Sequence, residues 1–141
     1  NLQNAVLTPH HGEFASMLGI QVDELETDLL GYGLRFIRET KAYLVLKGAP
    51  TIIFSPEGEI FINSTGNSGM SKFGSGDVLT GIIAGFLAQS KEIKTSLISA
   101  VYLHSLSADL LLENRTEFSI LPAQISNNLP NAIKYVRKQN L

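Results

Sequence analysis

The sequence predicts an α/β fold in which helices flank a mostly parallel sheet. Strand-like and helix-like segments alternate through the first half of the chain, which is the order typical of that class. The run Tyr43–Leu46 is apolar on both faces, as strands buried inside a parallel sheet must be. A glycine-rich loop then leads into an apolar helix, so the second half of the chain is expected to be helical.

The composition is that of a folded protein of one domain. Of the 141 residues, 44% are hydrophobic and 17% are charged, which excludes disorder and allows a substantial core. The formal net charge of −2 leaves no basic excess for binding a nucleic-acid backbone, and no apolar run is long enough to cross a bilayer. The chain has no Cys, so disulfides and thiol chemistry are excluded. We therefore expect a soluble, cytoplasmic protein that binds neither nucleic acid nor membrane.

Local signals predict the elements of the first half. A short strand over residues 4–7 is followed by Thr8 and Pro9, which suit the cap and the first position of a helix that ends at Gly19. Apolar residues at helical spacing then predict a second helix over residues 24–40, ahead of the apolar strand already described.

A β-hairpin and three helices complete the predicted elements. Apolar runs over residues 51–54 and 60–62 flank a turn that contains Pro56 and Gly58, residue types that tight turns favour. The helices are expected over residues 77–89, 94–113 and 122–138. The first of them is almost wholly apolar, which predicts burial on all sides, and its two glycines would allow close approach to another element.

The pattern also predicts that residues 1–141 are the C-terminal part of a single domain. The chain begins at Asn1 without an initiator Met and runs almost at once into a strand-like stretch. A parallel sheet covered by helices on both faces needs more strands than this sequence offers. We therefore expect an upstream half to complete the sheet.

The loop over residues 63–76 is the best candidate for a functional site. Gly74 and Gly76 give the backbone the freedom to point successive amides at one place, where the next helix begins. Unpaired amides and the helix dipole attract anions there, and a transferring phosphoryl group needs such a field. Asp77 adds a carboxylate that could take a proton from a hydroxyl. The alternative is that Asp77 only caps the helix and that Gly74-Ser75-Gly76 is an ordinary turn.

Several linked motifs resemble those of one enzyme family. Residues 65–70, Thr-Gly-Asn-Ser-Gly-Met, and residues 74–81, Gly-Ser-Gly-Asp-Val-Leu-Thr-Gly, closely resemble the C-terminal signature of ADP/ATP-dependent NAD(P)H-hydrate dehydratases, members of the ribokinase-like superfamily. Further segments agree in order and spacing: Leu-Thr-Pro-His-His-Gly-Glu at 7–13, Leu-Lys-Gly-Ala-Pro-Thr at 46–51, Val-Tyr-Leu-His at 101–104, and the stretch 120–130. The resemblance implies a ribokinase-like fold, of which this chain holds about the second half.

The resemblance also implies a reaction and a co-substrate. Such an enzyme restores NAD(P)H from its (S)-hydrate and consumes ADP or ATP, with Mg²⁺ as the accompanying ion. Phosphorylation of the ring hydroxyl turns a poor leaving group into a good one, and elimination follows. On this basis Asp77 is the base that contacts the hydrate, and the amides of Gly74, Ser75 and Gly76 hold the transferring phosphate.

Residues in the other matching segments would bind the substrate and the nucleotide. His10 corresponds to the family histidine near the hydrate. The nucleotide would be contacted by Lys47, Gly48, Ala49, Pro50, Thr51 and Asn67. No metal-ligating residues are expected, because His10, His11 and Glu13 lack a recognisable ligand spacing. His104, on an apolar helix face, is expected to be a hydrogen-bonded structural residue.

The sequence departs from the family pattern at two places. His11 stands where the family usually has Pro, and Lys72 and Phe73 stand where a small residue and Gly are typical. Neither change removes a charged group from the implied chemistry, so we expect an altered loop geometry and an unchanged family.

Two other functions remain open. A ribokinase-like small-molecule kinase would use the same carboxylate and anion site but would release the phosphoester as product. A non-catalytic nucleotide-binding fragment would lack the substrate contacts of an upstream half. The implied partners are NAD(P)H hydrate, an adenine nucleotide, the upstream half of the same domain and further copies of the chain in a homo-oligomer.

Overall fold

The computed structural model describes residues 2–90 and 92–139. They divide between Asn63 and Ser64 into two compact units, called here the N-terminal and the C-terminal unit. Among the helices of the described ranges, none combines the length and the apolarity that a membrane span requires.

The N-terminal unit contains a four-stranded mixed sheet. Its strands are β1 (Val6–Leu7), β2 (Tyr43–Leu46), β3 (Ile52–Phe54) and β4 (Ile60–Ile62), and they lie side by side in that order. β1 and β2 are parallel, whereas the β2–β3 and β3–β4 pairs are antiparallel. The predicted hairpin is confirmed, but a mostly parallel sheet is wrong for these four strands. The connections after β2 and β3 are too short for the crossover that parallel neighbours require.

Three helices accompany this sheet: α1 (His11–Leu18), α2 (Val22–Thr27) and α3 (Leu29–Thr40). The single helix predicted over 24–40 is wrong, because Asp28 leaves the helical conformation and its side chain accepts a hydrogen bond from the Gly31 amide. Asp28 therefore caps a new helix, a role that competes with continuing the old one. The end of α1 at Gly19 is confirmed, since Gly19 is left-handed with φ 70°.

The core of the N-terminal unit forms where α1, α2 and α3 meet one face of the sheet. Phe14, Leu25, Ile37 and Phe54 are fully buried there. Gly33 of α3 lies directly against the Phe54 ring, so that a β-carbon at residue 33 would overlap it. This close approach explains why a glycine occurs inside α3 despite its cost to helix stability.

The C-terminal unit is helical, as expected. It consists of α4 (Ser75–Gln89), α5 (Ile93–Leu111) and α6 (Pro122–Gln139), with short 3₁₀ turns at Ser68–Met70 and Glu117–Ser119. Each of the three long helices packs against the other two, and α5 supplies most of the buried residues.

Burial of α4 on all sides was expected, and that expectation is wrong. Leu79, Ile82 and Ile83 are buried, but Gly81 and Gly85 are exposed. A β-carbon added at either glycine would meet no atom within 4 Å. The apolar composition of α4 therefore reflects a second face that α5 and α6 leave uncovered.

Candidate functional site

In the N-terminal unit, His10 is fixed by a reciprocal cap at the start of α1. Its Nδ1 accepts a hydrogen bond from the Glu13 amide at 3.2 Å, and Glu13 Oε2 accepts one from the His10 amide at 2.7 Å. Two otherwise unpaired amides are satisfied in this way. The cap predicted at Thr8 and the placement of Pro9 inside the helix are therefore wrong, since α1 begins at His11.

Lys47 lies beside His10 because the parallel strands β1 and β2 end at the same edge of the sheet. The Lys47 amide donates to the Pro9 carbonyl at 2.8 Å, and His10 and Lys47 form a parallel β-bridge. Lys47 Nζ lies 3.6 Å from Glu13 Oε2. The structure thus brings together two residues that were predicted from separate motifs, around one carboxylate.

Glu13 is the member of this cluster whose role sequence reasoning missed. The hydrogen bond from the His10 backbone, aided by the positive charge of Lys47, holds the pKa of the Glu13 carboxyl below its usual value. Glu13 is therefore ionised at neutral pH and serves as the counterion of Lys47. The available signal was the spacing of His10 and Glu13, which is that of a capping box.

The predicted nucleotide segment forms a turn directly after β2. Gly48, Ala49 and Pro50 are exposed, the Ala49–Pro50 peptide bond is cis, and the Thr51 hydroxyl donates to the Gly48 carbonyl at 3.3 Å. A β-carbon at residue 48 would lie 2.7 Å from Nε2 of His11. The unusual His11 is thus packed against the turn, and its Nδ1 lies 3.5 Å from Glu26 Oε1.

In the C-terminal unit, Gly74 shapes the start of α4. Gly74 is the N-cap residue with a left-handed φ of 90°, a conformation that favours glycine, and no side chain caps the helix. Asp77 is the third residue of α4 and is exposed. The alternative that Asp77 is simply the N-cap is therefore wrong, which leaves its carboxylate available at the end of the helix that carries the positive dipole.

The backbone amides of this turn are not equivalent. The Ser75 amide donates to the Lys72 carbonyl at 3.1 Å, so it is already used inside the turn and does not act as the expected phosphate donor in this conformation. The amides of Gly76 and Asp77 have no hydrogen-bond partner within the described ranges. They are among the unpaired donors that a helix start offers to an anion.

Asn67 and Asp109 fix the loop that precedes this turn. The Asn67 side chain accepts from the Gly69 amide at 3.0 Å and donates to Asp109 Oδ1 at 2.8 Å, while the Gly66 amide donates to Asp109 Oδ2 at 2.8 Å. Asn67 was predicted to touch the nucleotide, but its side-chain oxygen is committed to the loop itself. Asp109 on α5 was missed, because nothing local to its helix marks it.

His104 is buried in α5 with only 3% of its surface exposed. Burial lowers its pKa to about 4, although a hydrogen bond with the Ser75 backbone acts in the opposite direction. The imidazole is therefore neutral at physiological pH, and its Nε2 has no partner within the described part of the chain. The structural role expected for His104 fits its position against the first residue of α4.

The donors present fit a magnesium ion that is carried by the nucleotide. Over residues 2–90 and 92–139, no three His, Cys, Asp or Glu side chains are grouped to hold a metal. Mg²⁺ at nucleotide sites typically keeps several waters and binds phosphate oxygens with one or two carboxylates. One exposed carboxylate beside unpaired amides is compatible with that arrangement.

Curated relatives match nearly the whole chain. It is 37% identical over 129 residues to the ADP-dependent (S)-NAD(P)H-hydrate dehydratase of Bacillus subtilis, an alignment that covers 92% of this chain and 47% of the relative. It is 38% identical over 134 residues to the bifunctional NAD(P)H-hydrate repair enzyme Nnr of Moorella thermoacetica, covering 95% of this chain and 25% of the relative. The chain therefore spans about half, or a quarter, of the length of these relatives.

Solved structures and the family model agree with these matches. The ADP/ATP-dependent NAD(P)H-hydrate dehydratase from Bacillus subtilis, co-crystallised with ATP and Mg²⁺, superposes with a TM-score of 0.90 at 36% identity, over 94% of this chain and 48% of that one. A ribokinase-like superfamily protein from Enterococcus faecalis gives 0.80 at 40% identity, over 92% and 44%. The predicted ribokinase-like fold is confirmed. Because the model of the NAD(P)H-hydrate dehydratase family matches residues 1–131, the chain belongs to that family.

Proposed function

We propose that this chain belongs to a cytoplasmic enzyme that dehydrates (S)-NAD(P)H hydrate to NAD(P)H with ADP as co-substrate. The observation that carries the proposal is the exposed carboxylate of Asp77 beside the unpaired amides of Gly76 and Asp77. A general base next to an anion-binding helix start is the arrangement that phosphorylation of a hydroxyl needs. Family membership supports the choice of substrate.

The chemistry divides into a transfer and an elimination. The terminal phosphoryl group of ADP moves to the ring hydroxyl of the hydrate, Asp77 takes the hydroxyl proton, and AMP is released. Loss of inorganic phosphate together with a proton from the neighbouring carbon then restores the ring double bond. The amides at the start of α4 stabilise the negative charge of the phosphoryl group during the transfer. Mg²⁺, when bound, neutralises part of the charge on the phosphates.

Family resemblance supports ligand contacts by further residues of this chain. Lys47 carries a charge suited to phosphates, and the exposed turn that follows it offers backbone groups to the nucleotide. His10 has Nδ1 committed to the cap, and its Nε2, which lies 3.5 Å from Glu13 Oε1, would have to turn from that carboxylate to the hydrate. We include Gly48, Ala49, Pro50 and Thr51 in this proposed nucleotide contact.

The test is a repair assay on NADPH hydrate with ADP and Mg²⁺. We expect the absorbance of the reduced nicotinamide to return, with one AMP and one phosphate formed for each NADPH, and no return when AMP replaces ADP. Accumulation of a stable phosphoester would contradict dehydration and favour a small-molecule kinase. Nucleotide binding without any turnover would favour the non-catalytic alternative.

A further inference from the structure

Lys72 binds three backbone carbonyls at once. Its Nζ donates to the carbonyl oxygens of Glu117 at 3.2 Å, Phe118 at 2.7 Å and Ile120 at 2.6 Å. These three oxygens belong to the second 3₁₀ turn and the residue that follows it, and Ile120 is fully buried. The ammonium group is therefore held as a small cation would be, by carbonyl dipoles that converge on one point.

The backbone of the same residue supports the start of α4. The Lys72 carbonyl accepts the hydrogen bond from the Ser75 amide, which closes the turn through Gly74. Gly69, three residues before Lys72, packs so tightly on the second 3₁₀ turn that a β-carbon there would lie 2.8 Å from the Glu117 carbonyl oxygen. Lys72 thus connects the carbonyl segment 117–120 to the turn that orients the amides of Gly76 and Asp77.

We propose that Lys72 is a positioning residue, whose ammonium acts as a tethered monovalent cation that locks segment 117–120 to the turn before α4 and so holds the phosphate-binding amides in place. The inference rests on the proposed function, since it assumes that those amides bind a phosphate. Three carbonyl oxygens brought together without a cation would be left without a donor, at a cost typical of unsatisfied polar groups. Removing the ammonium should therefore relax the turn, unless a free cation takes its place.

The experiment compares Lys72→Ala and Lys72→Met with Lys134→Ala, a matched loss of an exposed lysine on α6. ADP affinity is measured by calorimetry in about 0.1 M potassium, ammonium or tetramethylammonium chloride, so that ionic strength is constant. We expect Lys72→Ala to bind ADP about tenfold more weakly in tetramethylammonium, a loss appropriate to a charged hydrogen-bond network. Potassium or ammonium, which fit between carbonyls, should restore most of the affinity, whereas Lys72→Met, which fills the space, should not be restored.

The unmodified protein provides a result that does not depend on how well the variants fold. Because its cation is built in, its ADP affinity should change less than about twofold among the three salts. Three results would each overturn the proposal. They are a requirement for potassium in the unmodified protein, wild-type ADP affinity in both Lys72 variants, and an ADP affinity of Lys72→Ala that is the same in tetramethylammonium as in potassium.

Failure of the proposed function gives a different result. If the unmodified protein neither binds ADP nor repairs the hydrate, the proposed function fails, and the melting temperature of Lys72→Ala then decides the role of Lys72. A melting temperature of Lys72→Ala that recovers in potassium or ammonium but not in tetramethylammonium would support the tethered cation. A melting temperature that does not recover would overturn the proposal.

Discussion

The carboxylate of Asp109 binds both the side chain of Asn67, at 2.8 Å, and the backbone amide of Gly66, at 2.8 Å. One residue near the end of α5 therefore determines the path of a loop 42 residues earlier in the chain. Asn67 in turn caps the first 3₁₀ turn, so the loop has little freedom of its own.

Replacing Asp109 by Ala should destabilise the protein and weaken nucleotide binding. Two hydrogen bonds to a half-buried carboxylate are lost, and we expect the free energy of unfolding to fall by about 2 kcal/mol. The KM for ADP should rise more than kcat falls, because the loop is displaced while Asp77 remains. Denaturant unfolding and steady-state kinetics measure the two effects. The free energy of unfolding of Asp109→Asn, which keeps one acceptor, should lie between those of the wild type and Asp109→Ala. Unchanged stability in Asp109→Ala would contradict this role of Asp109.

Replacing Asp77 by Asn should remove turnover and spare binding. The amide keeps the shape of the side chain but cannot take a proton, and a missing general base typically costs about 10² to 10⁴ in rate. ADP affinity, measured by calorimetry, should stay within a few-fold. Normal turnover of the hydrate by this variant would rule out Asp77 as the base.

Gly76→Val should damage nucleotide binding more than folding. Gly76 is the second residue of α4, where valine is tolerated by the helix, but its branched side chain would crowd a phosphate bound to the amides. We expect ADP affinity to drop by on the order of tenfold, as when a charged hydrogen bond is lost. Lys134→Val, at an exposed position of α6, serves as control. Equal affinities in the two variants would defeat the prediction.

Stability should fall as the pH is lowered from about 6.5 to about 4, in part because of His104. Its pKa is about 4 in the folded protein and 6.5 for an unperturbed imidazole, so only the unfolded chain takes up the proton in that window. One such group contributes at most about 1.4 kcal/mol per pH unit. His104→Gln removes this contribution, and the difference between the two unfolding curves isolates it from the carboxylates. If the free energies of unfolding of the two proteins changed in parallel with pH, His104 would not titrate as described.

Residues 1–141 should not work alone. We propose that the upstream half of the domain packs on this chain, because Gly81, Ala84 and Gly85 form an exposed apolar face of α4. Exposed apolar surface of this kind promotes association. Expressing residues 1–141 and assaying ADP-dependent repair of NADPH hydrate tests the idea. A soluble, monomeric and fully active product would contradict it.

Features with local causes could be predicted from the sequence, and those that depend on distant partners could not. The apolar run of β2 and the Pro56–Gly58 turn predicted the strand and the hairpin where the structure has them. The break at Asp28 was missed, because helical periodicity continues across it while the capping carboxylate interrupts the backbone.

The same distinction holds for the candidate site. Gly74 and Asp77 could be identified from the pattern at the start of a helix, and both lie there. The contacts of Lys72 with segment 117–120 link residues more than forty positions apart, and no pattern in the sequence predicts them. For the same reason Lys72 could be noticed only as a departure from the family pattern.

The ion pair between Lys47 and Glu13 has a consequence for how a phosphate would be received. A free lysine side chain loses about 1.5 to 2 kcal/mol of rotamer entropy when it is ordered. Glu13 already restrains Lys47, yet an ion pair whose carboxylate is exposed contributes no more than about 1 kcal/mol. A phosphate that bound Lys47 would therefore replace a weakly held carboxylate, and the lysine would lose less rotamer entropy than a free side chain. The ion pair thus orders Lys47 without binding it too tightly for exchange.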